Sequence, residues 1–293
     1  NGTDALQLSL RAVGVGPGDV VVIPDATFWA TFEAVANVGA RVVTVDIDPS
    51  DLQMDFELFR RAVETHAPRA AILVHLYGWG SSDLARYREY CTDAALPLIE
   101  DGAQAFGVQY RGVPLFRDAF LATVSFYPAK VLGACGDAGA VFCSSAELAE
   151  KVRLLGNHGR VSHYEHGLVG WNSRMGGMEA AWLDLSMDYV EDRLESRRRA
   201  ARSYREALAG MGVRTVGPPP DFVENGYLNV TLIDPRLRPA VEAALRRDGI
   251  GFGTVYPGAM SEQPGAARSG SRSRRGPHPA GGGSRPPPRS SPS

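Results

Sequence analysis

Short apolar runs alternate with longer amphipathic stretches through the first half of the chain, and this alternation constrains the fold more than any other feature. Four runs rich in β-branched residues are predicted strands: 20–24, 41–45, 71–74 and 96–99. Three stretches between them are predicted helices: 28–38, 55–66 and 84–95. Nearly continuous apolar strands are typical of a sheet buried on both faces. The sequence therefore predicts an α/β domain whose mostly parallel sheet is covered by helices on both faces.

Further elements extend this pattern toward a second, smaller unit. Strands are predicted at 121–127, 139–143 and 228–233, and helices at 4–13, 146–155, 179–210 and 238–247. The first helix has a Thr3-Asp4 start typical of an N-cap, with Gly14 placed to end it. We place a domain boundary near residue 195. The large domain then covers 1–195, and a smaller C-terminal α+β domain covers 196–264.

Both ends of the chain have distinctive composition. The opening lacks an initiator methionine and the features of a signal peptide, so we expect a fragment that starts inside a domain. Residues 265–293 are rich in Arg, Ser, Gly and Pro, which predicts disorder. Two interpretations suit this tail: a basic segment that binds nucleic acid, or the product of a frameshift that replaces the end of the small domain. We favour the second.

Charge, hydropathy and cysteine usage exclude several classes of protein. The net charge of -2 argues against a nucleic-acid partner, and no apolar run approaches the roughly 20 residues that span a bilayer. The three cysteines are odd in number and widely separated, so they form neither a zinc framework nor a disulfide framework. We therefore expect a cytoplasmic location, no nucleic-acid partner and no membrane partner.

Lysine is rare in this chain, which directs attention to Lys130. Only Lys130 and Lys151 are lysines among the 31 basic residues, and only lysine has an amine that can form an imine with a carbonyl. Lys130 follows a buried-looking strand and precedes a turn that contains Gly133. Burial there would favour the neutral, nucleophilic amine. The alternative is a solvated lysine in a turn, and residue statistics alone do not separate the two.

Two other segments have the composition of a ligand site. Asp101 ends an apolar run, and the carboxyl ends of parallel strands are where α/β sheets bind ligands. Gly2, Thr3 and Asp4 begin a helix, whose exposed amides and dipole favour a phosphate. Ordinary turn formation or helix capping would explain both segments equally well.

Two tempting motifs point elsewhere. The glycines at 14, 16 and 18 follow a helix and precede a strand, which is the wrong context for a dinucleotide-binding loop. The histidines at 158, 163 and 166 lie in a loop-like stretch without paired cysteines or acids at ligand spacing. We therefore expect no metal site, and substrate-side or structural roles for these histidines.

Seven segments in order resemble motifs of the DegT/DnrJ/EryC1/StrS family of sugar aminotransferases. They lie at 1–6, 24–28, 74–78, 100–104, 125–130 with Gly136-Asp137, 157–159 and 170–175. The resemblance covers residues 1 to about 264 and weakens after Pro257. It implies the fold-type I architecture of enzymes that use pyridoxal 5'-phosphate, with a smaller C-terminal α+β domain.

The resemblance also implies a role for each matching residue. Lys130 would bind the cofactor as a Schiff base and move the proton of the reaction. The other cofactor-binding residues implied are Asp101 at the pyridine nitrogen, Gln104 at the ring oxygen, Phe28 on the ring face, Gly2, Thr3 and Ser125 at the phosphate, and Asn172 at the phosphate of a partner subunit. The last role implies a homodimer with two composite sites.

The implied reaction is transamination of a keto sugar, expected to be a nucleotide-linked keto-hexose, with glutamate or glutamine as the amino donor, in amino-sugar biosynthesis. Three alternatives stay open: a cyclitol aminotransferase, a dehydratase on the same scaffold that uses the same cofactor, and an inactive or regulatory homologue. Lys130 argues against those dehydratases that have histidine at this position. Gly102 departs from the alanine usual in the family, and we expect that change to be tolerated.

Overall fold

The computed structural model describes residues 1–268 and 272–274. The strands are β1 (Val20–Pro24), β2 (Arg41–Val45), β3 (Ala70–Val74), β4 (Leu98–Asp101), β5 (Gln109–Tyr110), β6 (Val113–Pro114), β7 (Leu121–Ser125), β8 (Gly139–Cys143), β9 (Arg214–Val216), β10 (Phe222–Val223), β11 (Val230–Leu232) and β12 (Arg272–Arg274). The helices are α1 (Gly2–Ala12), α2 (Trp29–Asn37), α3 (Phe56–His66), α4 (Leu84–Asp93), α5 (Ala146–Gly156), α6 (Gly177–Met187), α7 (Val190–Leu208), α8 (Arg238–Arg247) and α9 (Pro264–Arg268), with a 3₁₀ turn at Met260–Glu262. Within the described ranges, no helix has the length and apolar character needed to cross a membrane.

A seven-stranded sheet forms the centre of the molecule, in the order β12-β2-β1-β3-β4-β7-β8. Every neighbouring pair is parallel except β7 and β8, which are antiparallel. All residues of β3 are buried, as expected for a central strand with both faces covered. The predicted α/β architecture, with a mostly parallel sheet flanked by helices, is confirmed.

Helix ends follow local sequence, with one difference from prediction. Asp55 caps α3, because its side chain accepts a hydrogen bond from the backbone N–H of Leu58 at 2.8 Å. At α1 the cap is Asn1 and not the predicted Thr3-Asp4 pair: Asn1 Oδ1 accepts from the N–H of Asp4 at 2.9 Å. Asp4 is then a residue of the first turn, where a negative charge complements the helix dipole. Gly14, with φ +82°, follows the end of this helix as predicted.

The long helix predicted over 179–210 is two helices in the structure. α6 ends at Met187 and α7 begins at Val190. Apolar residues continue at helical spacing across the junction, so periodicity alone cannot reveal the break. The bend directs Val190 and Leu194 into a second core cluster with residues of the turn that holds Lys130. Residue 195 lies inside α7, so a continuous helix runs through the predicted domain boundary.

The segment after Pro257 packs against the N-terminal end of α2. The buried carboxylate of Asp25 accepts two hydrogen bonds of 2.8 Å from Ser261, one from its backbone N–H and one from its hydroxyl. Ala266 is fully buried, and Gly265 lies so close to the Trp29 ring that an added Cβ would be 2.9 Å from Cζ2. These contacts keep the segment that follows Tyr256 against the sheet.

Part of the tail predicted to be disordered has regular structure. Residues 265–268 belong to α9, because buried Ala266 gives that helix an apolar anchor, and residues 272–274 form β12, which pairs with β2. The prediction of disorder does not hold for these seven residues. Residues 269–271 and 275–293 lie outside the described residues, so the prediction stays untested there.

Removing the hydroxyl of Ser261 tests this docking. We expect Ser261→Ala to lower the free energy of unfolding by about 1–3 kcal/mol, because a hydrogen bond to a buried carboxylate is lost. Amide hydrogen exchange, followed by mass spectrometry, should accelerate across 259–266. Ser196→Ala, at an exposed position on α7, is the matched control and should leave the exchange unchanged. Equal exchange in both variants would contradict the proposed contact.

Candidate active site

The predicted site residues belong to different parts of the chain, and several of them lie at the carboxyl ends of the central strands. β4 ends at Asp101 and β7 ends at Ser125, and these two strands are neighbours. The first residue of α1 lies against β7, because a Cβ added to Gly2 would be 2.8 Å from Cβ of Ser125. The N-terminus of α1 and the ends of β4 and β7 therefore meet at one edge of the sheet, where α/β proteins bind ligands.

Asp101 is a buried carboxylate with few hydrogen-bond donors. Oδ1 accepts from the backbone N–H of Ala103 at 3.0 Å, and Oδ2 accepts from the Thr31 hydroxyl at 3.3 Å. Burial raises the pKa of Asp101, although Ala103, the nearby Lys130 charge and Thr31 act in the opposite direction. A carboxylate in this position would readily share a proton with, or accept a strong hydrogen bond from, a group brought into the site.

Glu100, the neighbour of Asp101 on β4, has the opposite electrostatic setting. Arg88 donates to both of its carboxylate oxygens, at 2.7 and 2.9 Å, and His75 Nε2 lies 2.8 Å from Oε2. Burial alone would raise the pKa of Glu100, but these partners outweigh burial and lower it. Glu100 therefore remains charged and ties β4 to α4 and to the residue that follows β3.

Lys130 lies in a tight turn between β7 and β8. Its Nζ donates a hydrogen bond to the hydroxyl of Tyr227 at 3.3 Å, and its side chain is half-buried. The turn is closed by a hydrogen bond from the N–H of Ala134 to the carbonyl of Phe126 at 2.7 Å. An added Cβ at Gly133 would be 2.4 Å from the carbonyl oxygen of Pro128, so this close approach requires glycine. Lys130 thus lies in a turn, as the alternative has it, but its side chain is only partly exposed and its amine has a hydrogen-bond partner.

The turn that contains Lys130 rests on α6 and α7. Val131 and Leu132 share a buried cluster with Leu183 of α6 and Leu194 of α7. Trp182 donates its indole N–H to the carbonyl of Gly133 at 3.1 Å. Helices α6 and α7 therefore pack against the turn that contains Lys130.

Gln104 is held at both ends of its side-chain amide. Oε1 accepts from the backbone N–H of Tyr77 at 2.7 Å, and Nε2 donates to the hydroxyl of Tyr256 at 2.6 Å. Asn225 holds the backbone of the same segment, because its Nδ2 donates to the carbonyls of Gln104 and Phe106 at 2.9 and 2.8 Å. Residues from the C-terminal part of the chain thus contact the predicted site directly.

Phe28 immediately precedes α2 and its side chain is 65% exposed. One turn later, Thr31 donates to Asp101, and the Thr31 hydroxyl lies 3.1 Å from that of Thr27. The start of α2 is therefore fixed beside the Asp101 carboxylate. An exposed aromatic ring at this point is free to stack on a planar ligand.

The remaining predicted residues divide into two groups. Gly2 and Thr3 are in the first turn of α1, and Ser125 lies beside them, so backbone amides and a hydroxyl face one region. Asn172 is exposed on a segment that bridges to Asn157. Its neighbour Ser173 donates its hydroxyl to Asp4 of α1 at 2.7 Å. The structure brings Lys130, Asp101, Gln104 and the α1 region together, whereas Asn172 lies on the surface.

The histidine-containing loop has its own contacts. His163 Nδ1 lies 2.8 Å from the Arg160 guanidinium, and His166 Nδ1 lies 2.9 Å from the carbonyl oxygen of His158. Over residues 1–268 and 272–274, no group of three or more His, Cys, Asp or Glu side chains has an arrangement that could hold a metal ion.

The tyrosines that surround the site are not predicted by the sequence patterns. Tyr227 contacts Lys130, while Tyr77 and Tyr256 hold Gln104. Burial raises the pKa of Tyr77 to about 12, and burial also raises the pKa of Tyr256. Both hydroxyls are therefore neutral at physiological pH. The motif at 74–78 includes Tyr77 but gives no indication of the contact with Gln104.

Gly102 illustrates how a departure from the family pattern is accommodated. A Cβ at this position would lie 2.1 Å from the ring of Phe116, which stacks on Phe142. The Phe116 ring fills the space that an alanine methyl group would occupy. Glycine is thus matched to the aromatic side chain behind it.

The donor set fits a phosphorylated pyridine ring with an aldehyde. A helix N-terminus with a serine beside it suits the phosphate, and a buried carboxylate suits a protonated ring nitrogen. The Gln104 amide has one N–H beyond the bond to Tyr256, which suits a ring oxygen. Lys130 is the amine that can react with the aldehyde. These are the functional groups that pyridoxal phosphate requires.

Replacing Asp101 by asparagine should stabilise the protein without cofactor. Since the fold raises the pKa of Asp101, ionisation of the folded state costs free energy at neutral pH, and that cost disappears below the unfolded pKa of about 4. We expect Asp101→Asn to raise Tm at pH 7 but not at pH 3, in thermal melts across a pH series. Glu100→Gln, at the adjacent carboxylate with a lowered pKa, should instead lower Tm at pH 7. A lower Tm for Asp101→Asn at pH 7 would refute this account.

Comparison with known proteins agrees with the geometry. The model of the DegT/DnrJ/EryC1/StrS aminotransferase family matches residues 1–278. UDP-2-acetamido-2-deoxy-3-oxo-D-glucuronate aminotransferase of Pseudomonas aeruginosa is 37% identical over 270 residues, which cover 91% of this chain and 73% of the relative. The match thus extends over nearly the whole chain and over most of the relative.

Solved structures show the same fold. DesV from Streptomyces venezuelae is 37% identical and superposes with a TM-score of 0.85 over 91% of this chain and 71% of its own. NtdA from Bacillus subtilis, solved with the bound cofactor PMP, is 29% identical with a TM-score of 0.82, over 91% of this chain and 62% of its own. The chain therefore belongs to the DegT/DnrJ/EryC1/StrS aminotransferase family, a family of pyridoxal phosphate-dependent sugar aminotransferases.

Proposed function

We propose that this chain transfers an amino group from glutamate or glutamine to the keto carbon of a nucleotide-linked hexose, in the biosynthesis of an amino sugar. The observation that carries the proposal is the convergence of Lys130, Asp101 and Gln104 at the carboxyl ends of the strands. The substrate class is supported by the Pseudomonas aeruginosa relative, whose name specifies a UDP-linked 3-oxo sugar acid.

The cofactor would be held by groups from several elements. Lys130 would bind it covalently, Asp101 would pair with the ring nitrogen, and Gln104 would donate to the ring oxygen. Phe28 would cover one face of the ring. Its phosphate would lie at the N-terminus of α1, near Gly2, Thr3 and Ser125.

Each of these residues has a definite chemical task. When bound, pyridoxal phosphate supplies an electron sink for the pair released at the substrate carbon. Asp101 keeps the ring nitrogen protonated, which strengthens that sink. Lys130 Nζ would act as the general base that takes the proton from the α-carbon of the amino donor and holds it for return. The same amine therefore serves as nucleophile and as base.

Tyr227 is placed to direct the amine. Its hydroxyl accepts a hydrogen bond from Lys130 Nζ at 3.3 Å, and Nζ lies 5.3 Å from the centre of its ring. A hydroxyl that accepts one N–H leaves the nitrogen lone pair free to point elsewhere, toward the substrate. Tyr227 would thus orient Lys130 during proton transfer.

Three rival functions share much of this geometry. A cyclitol aminotransferase would differ only in the acceptor, and a dehydratase would differ in the fate of the substrate. An inactive homologue would need neither the buried Asp101 nor the supported Lys130 turn. Because both features are present, we favour an active aminotransferase.

A labelled-donor assay tests the proposal. We expect ¹⁵N from glutamate or from amide-labelled glutamine to appear in UDP- or dTDP-linked 3-keto-hexoses, detected by mass spectrometry. Lys130→Ala should reduce this transfer by at least about 100-fold, since a positioned base contributes that much or more. Lys151→Ala, at the other lysine of the chain, should retain activity.

Each rival predicts a different product. Label in a keto-cyclitol but not in any keto-hexose would indicate a cyclitol aminotransferase. Loss of water from the sugar without label would indicate a dehydratase. No turnover of any substrate, together with no absorbance from bound pyridoxal phosphate, would contradict the proposal that the chain is an active aminotransferase.

We also propose that the chain acts as a homodimer with composite sites. α6 and the residues around it expose large apolar side chains, among them Met178, Leu185 and Tyr189, which are 80%, 59% and 55% exposed. Several large apolar side chains exposed on and beside one helix favour a protein interface there. Asn172 lies on an exposed segment of the same region of sequence and would reach the phosphate in the partner's site. A cytoplasmic location remains a prediction.

Mixing two inactive variants tests the shared site. Lys130→Ala keeps Asn172, and Asn172→Ala keeps Lys130, so a mixed dimer has one intact site. Equal mixing after subunit exchange should restore about a quarter of the wild-type activity, since half of the dimers are mixed and each has one working site. Asn172→Ala alone should weaken retention of the cofactor. No recovery on mixing would mean that Asn172 acts within its own subunit, and a fully active Asn172→Ala variant would mean that it has no role at the site.

The interface itself needs a separate control. Leu185→Glu should convert the dimer to a monomer in light scattering, because a charge would enter the apolar surface of α6. Ile250→Glu, at an exposed apolar residue just after α8, should leave the dimer intact. If both variants stay dimeric, the interface lies elsewhere.

A further inference from the structure

The Gln104 amide has a fixed orientation because of what holds it. A backbone N–H can only donate, so the bond from Tyr77 identifies the atom it contacts as Oε1. The amide nitrogen must then face the opposite side, where it donates one hydrogen to the Tyr256 hydroxyl at 2.6 Å. The direction of its second hydrogen follows from the planarity of the amide.

Both residues that hold the amide have unusual backbone conformations. Tyr77 has φ +65° and Tyr256 has φ +52°, a region that bulky side chains rarely adopt. Their rings are 6.3 Å apart, and they come from distant parts of the chain. Such conformations cost free energy and persist only where surrounding contacts compensate for them. Two residues with such conformations hold the side chain of Gln104, which indicates that the orientation of its amide matters for function.

Tyr256 also connects Gln104 to the C-terminal segment. Met260, four residues after Tyr256, donates its N–H to the carbonyl of Asp25 at 2.7 Å. Ser261 donates to the Asp25 carboxylate. The contacts of Met260 and Ser261 with Asp25 therefore anchor the chain four residues beyond Tyr256. Since burial raises the pKa of Tyr256, the hydroxyl is neutral and remains a suitable acceptor for an amide N–H.

We propose that Tyr256 is a positioning residue for Gln104: by accepting one amide hydrogen, its hydroxyl directs the other toward the ring oxygen of the cofactor. The inference rests on the proposed function, in which Gln104 donates to that oxygen. The C-terminal segment then influences the cofactor through a single hydrogen bond, without touching it.

The chemical consequence is a change in how tightly the ring oxygen holds a proton. A hydrogen bond from Gln104 stabilises the anionic form of that oxygen. Without Tyr256 the amide is held only at Oε1, so its nitrogen is less often aligned with the cofactor. The bound cofactor should then keep its proton to a higher pH.

A double-mutant cycle with Tyr256→Phe and Gln104→Leu tests this mechanism. The full chain is loaded with pyridoxal phosphate, and two quantities are measured: the pH midpoint of the change in visible absorbance, and the dissociation constant of the cofactor. Tyr256→Phe should raise the midpoint and weaken binding by about 2- to 10-fold, the effect of one hydrogen bond. Tyr204→Phe, an exposed tyrosine on α7, is the control and should match the wild type.

The coupling between the two substitutions distinguishes a positioning role of Tyr256 from a merely structural one. If Tyr256 acts through Gln104, the double variant should match Gln104→Leu, with no further change in either quantity. Fully additive effects would overturn the proposal, as would a Tyr256→Phe variant with wild-type values beside an altered Gln104→Leu. Thermal melts of all variants check that the fold is retained.

The same measurements test the role of Gln104 in the proposed function separately from the positioning role of Tyr256. If wild-type protein binds pyridoxal phosphate but Gln104→Leu has wild-type absorbance and affinity, the assignment of Gln104 is wrong and the role of Tyr256 falls with it. If Gln104→Leu changes both quantities and only Tyr256→Phe is silent, the proposed function stands and the positioning role is refuted.

Discussion

The burial of two adjacent carboxylates on β4 is the constraint on which the rest of the structure depends. Successive residues of a strand point to opposite faces of a sheet, so Glu100 and Asp101 lie in different environments. The charge of Glu100 is compensated by Arg88, and His75 lies within hydrogen-bond distance of the same carboxylate; loss of one partner from such a buried pair costs about 3–5 kcal/mol. Among the residues that the structure describes, Asp101 accepts hydrogen bonds only from the Thr31 hydroxyl and the N–H of Ala103. One carboxylate therefore holds the strand in place, while the other remains available for chemistry at the same strand end.

The C-terminal part of the chain completes the site that the central sheet begins. Asn225 binds the backbone at Gln104, Tyr227 binds the amine of Lys130, and Tyr256 binds the amide of Gln104. All three contacts bridge more than 90 residues of sequence. A ligand held by Lys130 and Gln104 would thus be sensitive to the position of the C-terminal residues. The C-terminal residues thus contribute directly to the candidate site at the strand ends.

Sequence patterns predicted the layers of the fold but not the contacts that complete the site. The central strands are predictable because each is a continuous apolar run, and Asp101, Gln104 and Lys130 because each lies in a recognisable motif at a strand end. The two-residue strands β5, β6 and β10 are too short to have a period. The break between α6 and α7 is hidden because apolar spacing continues through it. Tyr227 and Tyr256 were missed because their roles depend on long-range contacts and, for Tyr256, on a left-handed backbone that local sequence does not specify.

Several features of the site lower the stability of the protein without its cofactor. Burial disfavours the charged form of Asp101, Tyr77 and Tyr256 have strained backbones, and α6 exposes apolar side chains to water. A ligand that binds only the folded state stabilises it in proportion to the logarithm of its concentration over its dissociation constant. A cationic ring nitrogen beside Asp101 would remove the first cost, and a partner subunit on α6 would remove the last. Folding, cofactor binding and dimer assembly should therefore be coupled, because cofactor binding and assembly each remove a different free-energy cost of the folded monomer.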